Sequence, residues 1–171
     1  MYLRRLETKD APYMLEWMHD KAVVEHLHAD FSSKRLSDAE EFIQKSWDVS
    51  NHLHLAITSN KDEYMGTVSL KYIDSETAEF AITIRSKAMG KGYSWFGMSH
   101  ILEKAFNELH LKCVYWCVSR SNMRAICFYE KHHFKEAASV PAAAKKRYMG
   151  IDNLKWYSTI SNESIACNLP S

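Results

Sequence analysis

The sequence predicts an α/β domain, a mixed sheet with helices on both faces. Two patterns carry that reading. Stretches that alternate or run apolar over strand lengths are interspersed with stretches whose apolar residues recur at three and four positions. Their order is one strand, two helices, three strands, then helix, strand, helix, strand. Size agrees: 171 residues with 46% hydrophobic and 12% aromatic side chains supply one core, and 5 Gly with 3 Pro exclude a fibre or a disordered chain.

The elements follow in chain order. Leu3 to Leu6 reads as a first strand, and Asp10-Ala11-Pro12 opens a helix with Asp10 as N-cap and Pro12 in the first turn. Ser37-Asp38-Ala39-Glu40 has the spacing of a capping box, in which Ser37 and Glu40 each satisfy the other's backbone N–H, and starts a helix bearing Phe42, Ile43 and Trp47. Residues 21–36 between them read as irregular. Residues 52–58, 64–73 and 77–85 form an antiparallel meander with turns at Asn60-Lys61-Asp62 and Asp74-Ser75-Glu76. After Gly90-Lys91-Gly92 comes the strongest helix, with Trp95, Met98, Ile101, Leu102, Ala105, Phe106 and Leu109 on one stripe that must lie on the sheet. A strand over 112–119, a helix over 122–131 and a strand over 154–160 complete a domain of residues 1–161. Residues 162–171 lose the apolar pattern and read as a short fraying tail.

Charge and cysteine usage exclude several functions. Lys plus Arg (22) nearly balances Asp plus Glu (21), which speaks against a nucleic-acid binder. The longest run without Asp, Glu, Lys or Arg, residues 49–60, is too short to span a bilayer, and the N-terminus lacks the apolar core of a secretory signal. A cytoplasmic protein is expected. Four Cys without a CxxC pair suit a reducing compartment, and Cys113 and Cys117, on one face of a strand, read as packing residues.

Gly90-Lys91-Gly92, followed by Gly97, matches neither GxGxxG nor a P-loop. What remains is a strand, a short Gly-Lys turn and a helix N-terminus, which offers backbone N–H groups and a positive dipole end to an anion such as pyrophosphate, with Lys87 and Lys91 adding charge. A plain strand-to-helix turn is the other reading. Alternation puts Glu79, Ala81 and Thr83 on one strand face, so Glu79 is either a solvent-facing carboxylate or one among small side chains with room beside it. His26-x-His28, His52-x-His54 and His132-His133 lack a carboxylate or Cys at ligand spacing, so no metal is expected. Lys145-Lys146-Arg147 is a compact basic patch, a solvated loop or the charge at a substrate mouth.

Three motifs in order, Ala78-Glu79-Phe80-Ala81-Ile82-Thr83-Ile84, Met89-Gly90-Lys91-Gly92-Tyr93-Ser94 and Asn122-Met123-Arg124-Ala125-Ile126-Cys127-Phe128-Tyr129-Glu130-Lys131, resemble the GNAT superfamily of acetyl-CoA-dependent N-acetyltransferases. The likeness covers about residues 1–160 and is strongest to the branch with ribosomal-protein N-terminal and spermidine acetyltransferases. It implies a mostly antiparallel mixed sheet splayed between strands 4 and 5, with acetyl-CoA as co-substrate in the gap. It further implies that Ile82, Thr83, Ile84, Lys87, Met89, Gly90, Lys91, Gly92, Tyr93, Ser94, Asn122, Ala125, Phe128 and Lys131 bind the cofactor. The family loop usually reads Gln/Arg-x-x-Gly-x-Gly/Ala; Met89 and Ser94 depart from it, as does His133, where relatives commonly have Gly.

On this resemblance Glu79 is the candidate base, Tyr129 the candidate acid toward the departing thiolate, and Asn122 fixes pantetheine or a water. Periodicity alone favours a core role for Tyr129, and an N-cap reading suits Asn122 equally. A backbone amide near Ile82 would steady the carbonyl oxygen. The expected reaction is direct acetyl transfer to a primary amine of a small molecule (amino sugar, its nucleotide, or polyamine), by a monomer or homodimer. Residues 21–36 and 139–151 would wall the acceptor. A protein α-amine as acceptor, or a non-catalytic acyl-CoA-binding module, are the alternatives.

Overall fold

The computed structural model describes residues 1–27 and 29–161. Their elements are β1 (Tyr2–Arg5), α1 (Ala11–Met18), α2 (Lys21–Val24), α3 (Leu36–Lys45), β2 (Leu53–Thr58), β3 (Tyr64–Lys71), β4 (Thr77–Ile84), α4 (Tyr93–Glu103), β5 (Cys113–Ser119), α5 (Met123–Lys131), α6 (Ala142–Arg147) and β6 (Leu154–Ile160). The strands form one sheet in sequence order, antiparallel at every step except β4 to β5, which is parallel. A parallel step needs a crossover, and α4 supplies it.

Period-two alternation divides the apolar residues between two cores. On β2, Leu55 and Ile57 join the core under α4 and α5 (Met98, Ile101, Ile126, Trp116), whereas Ala56 between them faces the core under α1 and α3 (Met14, Trp17, Ile43, Tyr64). Each such Leu or Ile contributes about 1.5–3 kcal/mol by leaving water. The second core buries polar atoms without orphaning them: the Trp17 indole donates to Tyr64 Oη at 3.1 Å, and that hydroxyl is paired with Thr67 at 2.7 Å.

Several local expectations give way to long-range contacts. Asp10 precedes α1 but does not cap it, because Arg4 holds its carboxylate at 2.7 and 2.8 Å and the Glu7 N–H donates to it at 2.9 Å. The Ser37/Glu40 box is replaced by a start two residues earlier, with Arg35 as N-cap, where the Asp38 carboxylate accepts from the Arg35 N–H at 2.7 Å. The Phe106 and Leu109 end of the long helix unwinds into a wider turn over Lys104–Glu108, closed by Leu109 N–H to Lys104 O at 3.0 Å. Trp47 lies past α3, half exposed, and donates to Leu6 O at 3.0 Å. Residues 21–36 and 139–151 contain the short helices α2 and α6, too short for a periodicity signal. The expected fraying tail, residues 162–171, lies outside the described residues.

Gly66 is fixed by close approach: a Cβ there would lie 2.4 Å from Thr83 O and 2.8 Å from Ile84 Cδ1. The first contact is backbone within the sheet and cannot rotate away. Gly66→Ala is expected to lower unfolding free energy by about 3 kcal/mol in urea titration; a change below about 0.5 kcal/mol would show that β3 and β4 can part locally.

Candidate active site

β4 and β5 pair over three residues only, Thr77 with Cys113, Ala78 with Val114 and Glu79 with Tyr115. Beyond Glu79 they part, and a cavity of about 850 Å³ opens in the gap. The Arg85 N–H bonds to Met65 O in register with the β3–β4 ladder, so odd-numbered amides of β4 face β3. The amides of Ile82 and Ile84, past the last bridge, therefore face the side from which β5 has withdrawn. Ile82, Thr83 and Ile84 line the cavity.

The next segment turns sharply into α4. Gly90 and Gly92 hold φ of 71° and 85°, where glycine alone is unstrained, and Gly92 is the residue before the helix. Cβ atoms built on them would meet nothing within 4 Å at Gly90 and only Met1 Cε, at 3.9 Å, at Gly92. The turn that leads into α4, whose first N–H groups have no intrahelical acceptor, thus leaves open space beside both glycines. Met89, Gly90 and Ser94 line the cavity, whereas Lys91, Gly92 and Tyr93 lie outside its lining. Lys87 turns away altogether, its ammonium 2.6 Å from Glu63. The cation beside the loop is one the sequence reading did not single out: Arg124 of α5 reaches Met89 Sδ and Ala22 O, each at 3.1 Å.

Glu79 sits where β4 and β5 part, its side chain only 2% exposed. The room expected beside it is filled. Lys71, its cross-strand partner, approaches Oε1 at 2.9 Å; the Tyr148 hydroxyl donates to Oε1 at 2.5 Å; and Arg147 Nη2 donates to Oε2 at 3.1 Å. Burial pushes this carboxyl up, but the Lys71 charge and the hydrogen bonds from Tyr148, Lys71 and Arg147 outweigh it and hold it below the usual value. Arg147 and Tyr148 stand 68 and 69 residues away in sequence, and neither was singled out by itself. The signal that pointed to them was the basic run at 145–147, whose third member turns inward.

α5 brings the remaining candidates. Asn122 caps it, Oδ1 accepting from the Ala125 N–H at 3.1 Å, and Asn122, Ala125, Phe128, Tyr129 and Lys131 all line the cavity. The Tyr129 ring packs in the core between Trp116 and Tyr157, with centroids 5.4 and 5.0 Å away. Its hydroxyl has no partner among the described residues, and burial, then the Tyr157 and Cys117 charges, push it far above an ordinary phenol. After α5, His133 adopts φ 62°, so the turn takes the left-handed conformation glycine would favour, at some strain.

Two groups bear on the chemistry available. Trp116 lines the cavity and carries a buried indole N–H without an acceptor among the described residues. Cys117 also lines it, but burial and the neighbouring Glu79 charge push its thiol up to about 11, so it is protonated and a poor nucleophile at neutral pH. The histidines stay apart from any ligand cluster: among the described residues no three His, Cys, Asp or Glu converge as metal ligands. His54 Nδ1 instead pairs with Ser69 Oγ at 2.7 Å, and His26 lines the cavity; His28 is outside the described residues. No helix among the described residues is long and apolar enough to cross a membrane.

The family model of the acetyltransferase (GNAT) domain matches residues 1–135. Among solved structures, a spermidine N-acetyltransferase from Vibrio cholerae, crystallised with CoA and spermine, is 20% identical with a TM-score of 0.79, covering 96% of this chain and 97% of that one. A manganese complex of the spermidine/spermine N-acetyltransferase SpeG from the same organism is 19% identical with a TM-score of 0.69, covering 98% and 96%. No curated protein sequence matches the chain significantly.

Proposed function

The chain belongs to the GNAT acetyltransferase family, and from that premise we propose that it moves an acetyl group from acetyl-CoA directly to the primary amine of a small molecule. The observation that carries this reading is one gap with two equipped ends: a helix N-terminus behind two glycines, and a buried carboxylate.

The residues present fit the co-substrate. Backbone at Gly90 and Gly92 is open to close approach, the α4 N-terminus suits a pyrophosphate, Arg124 and Lys131 add positive charge, and the Trp116 N–H lacks an acceptor. When bound, acetyl-CoA supplies an activated acetyl group and a thiolate leaving group. The chain's own part is positioning and proton traffic. The Ile82 N–H, left free by the splay, is a donor for a carbonyl oxygen in the gap. Glu79 draws the acceptor's ammonium and receives its proton at a carboxylate oxygen, and Tyr129 Oη holds the proton that the departing sulfur needs. With Cys117 protonated, no covalent enzyme intermediate is required. A small-molecule acceptor is favoured over a protein α-amine by the spermidine N-acetyltransferases that share the fold.

The test is release of free thiol from acetyl-CoA in the presence of a panel of primary amines. Turnover above blank is expected, and silence across the panel would return the chain to acyl-CoA binding without catalysis. Glu79→Gln sharpens the test. Glu79 is held low and stays ionised at neutral pH, so in the wild type it is ready to accept a proton. In the Gln variant only the already neutral amine reacts, and that fraction rises about tenfold per pH unit below an alkylammonium pKa near 10. The wild-type to variant ratio of kcat/KM is therefore expected to shrink as pH rises. A ratio constant from pH 6 to 9 would make Glu79 a positioning residue.

A further inference from the structure

Resting on the acetyl-transfer reading, we propose that the acceptor carries an anionic group, a carboxylate or a phosphate, beside its amine, and that Lys71 and Arg147 hold that group. Glu79 is the one carboxylate among the described residues lining the cavity, and four cations share that lining: Arg124 and Lys131 on the α5 side, Lys71 and Arg147 around Glu79. On the acceptor side two positive charges thus face a single negative one. A polycation entering there would meet an excess of like charge, whereas an amine with an attached anion finds a partner for each end.

Arg147 is built in, unlike its two lysine neighbours. Its guanidinium carbon lies 3.9 Å from the Tyr72 ring centroid, and Nη2 is tied to Tyr115 Oη at 2.6 Å as well as to Glu79. Tyr72 provides that platform from a left-handed backbone, φ 52°, immediately after Lys71. The guanidinium is thereby oriented while its Nε–H, buried, has no acceptor among the described residues. An oxyanion satisfies that N–H with a charge-assisted bond, and the planar fork suits carboxylate and phosphate alike.

The placement also resolves a difficulty in the proton transfer. A carboxylate gripped by two cations is a poor sink for an ammonium proton. A substrate anion competes with Glu79 for the same Arg147 and Lys71 donors, loosens that grip and leaves a carboxylate oxygen free for the amine. An acceptor with the anion becomes a better proton donor to Glu79 as it binds, and one without it meets the clamped form.

Paired acceptors test this: β-alanine against its carboxamide for a carboxylate, glucosamine 6-phosphate against glucosamine for a phosphate, and spermidine as the polycation. The anionic member of at least one pair is expected to have a kcat/KM about tenfold or more above its neutral twin, mainly through KM. In Arg147→Gln and Lys71→Gln the ratio of kcat/KM between the anionic member and its neutral twin should fall about tenfold or more, toward one, even as the loosened Glu79 shifts the rate of both, with Arg147→Lys retaining part of the ratio. Unchanged CoA affinity identifies variants that keep their fold. Neutral twins matching the anionic members, spermidine surpassing both pairs, or an advantage intact in both Gln variants would overturn the proposal. Titration of CoA-loaded protein with inorganic phosphate separates the two readings. If no amine is turned over but phosphate binds and Arg147→Gln weakens it at least about tenfold, the anion site stands and acetyl transfer does not. No phosphate binding, or binding indifferent to Arg147, sinks the anion site by itself.

Discussion

Gly92→Val is expected to weaken CoA binding about a hundredfold or more, equivalent to about 2.7 kcal/mol, while the sheet and both cores persist. Two effects add. Gly92 sits at φ 85° directly before α4, and a β-branched residue there carries about 1–2 kcal/mol of left-handed strain that the turn relieves by moving. The new side chain also projects into space the protein leaves empty, since only Met1 Cε lies within 4 Å of the Cβ position. Strain that the turn holds without moving lowers the unfolding temperature and hardly touches affinity in protein that remains folded; a displaced turn or a blocked approach weakens binding. Calorimetric titration with CoA and a thermal melt on the same sample therefore distinguish them. An unchanged Kd in a folded variant would show that the Gly90–Gly92 turn is only a strand-to-helix connection.

That turn was legible because its signal is local: two glycines between an alternating stretch and a period-3.6 stretch need no distant partner to be read. The succession of strands and helices and the central meander were legible for the same reason, whereas the splay between strands 4 and 5 was implied only by the family resemblance. What the chain hid lies in contacts between remote residues. Asp10 has the local context of a cap, yet Arg4 holds its carboxylate, and the room beside Glu79 is taken by Arg147 and Tyr148 from far along the chain. Likewise Lys87 reads as loop charge in sequence, yet Glu63 holds it, and the cation at Met89 comes from Arg124. The alternation that placed Glu79 on a face says nothing about which side chains return to cover that face. Membership in the family rested on three motifs together, and the match to residues 1–135 spans the same three.

Tyr129→Phe is expected to lower kcat about a hundredfold with CoA affinity retained. The ring's contacts with Trp116, Tyr157 and Phe134 survive the change, so packing loses only a hydroxyl that has no partner among the described residues. The sign of its pKa shift decides how that hydroxyl can act. An ordinary phenol near 10 already lies above a thiol near 8.5, and burial drives Tyr129 higher still, so full transfer to a free thiolate is uphill. The departing sulfur lies in the same enclosed, poorly solvated gap, where desolvation raises the basicity of the thiolate as it raises the phenol, and the proton passes as the C–S bond completes its cleavage. The same shift keeps Tyr129 protonated through pH 10, so wild-type kcat should show no descending limb from it between pH 7 and 10. Tyr148→Phe serves as the contrast, because that hydroxyl is committed to Glu79 and its loss should alter the acceptor side, in KM and in the pH dependence set by Glu79. Rapid-quench measurement of the chemical step checks the assignment directly. If the Tyr129 variant reacts at the wild-type rate there, the hydroxyl is a core feature and water entering the gap beside Trp116 and Cys117 is left as the source of the proton.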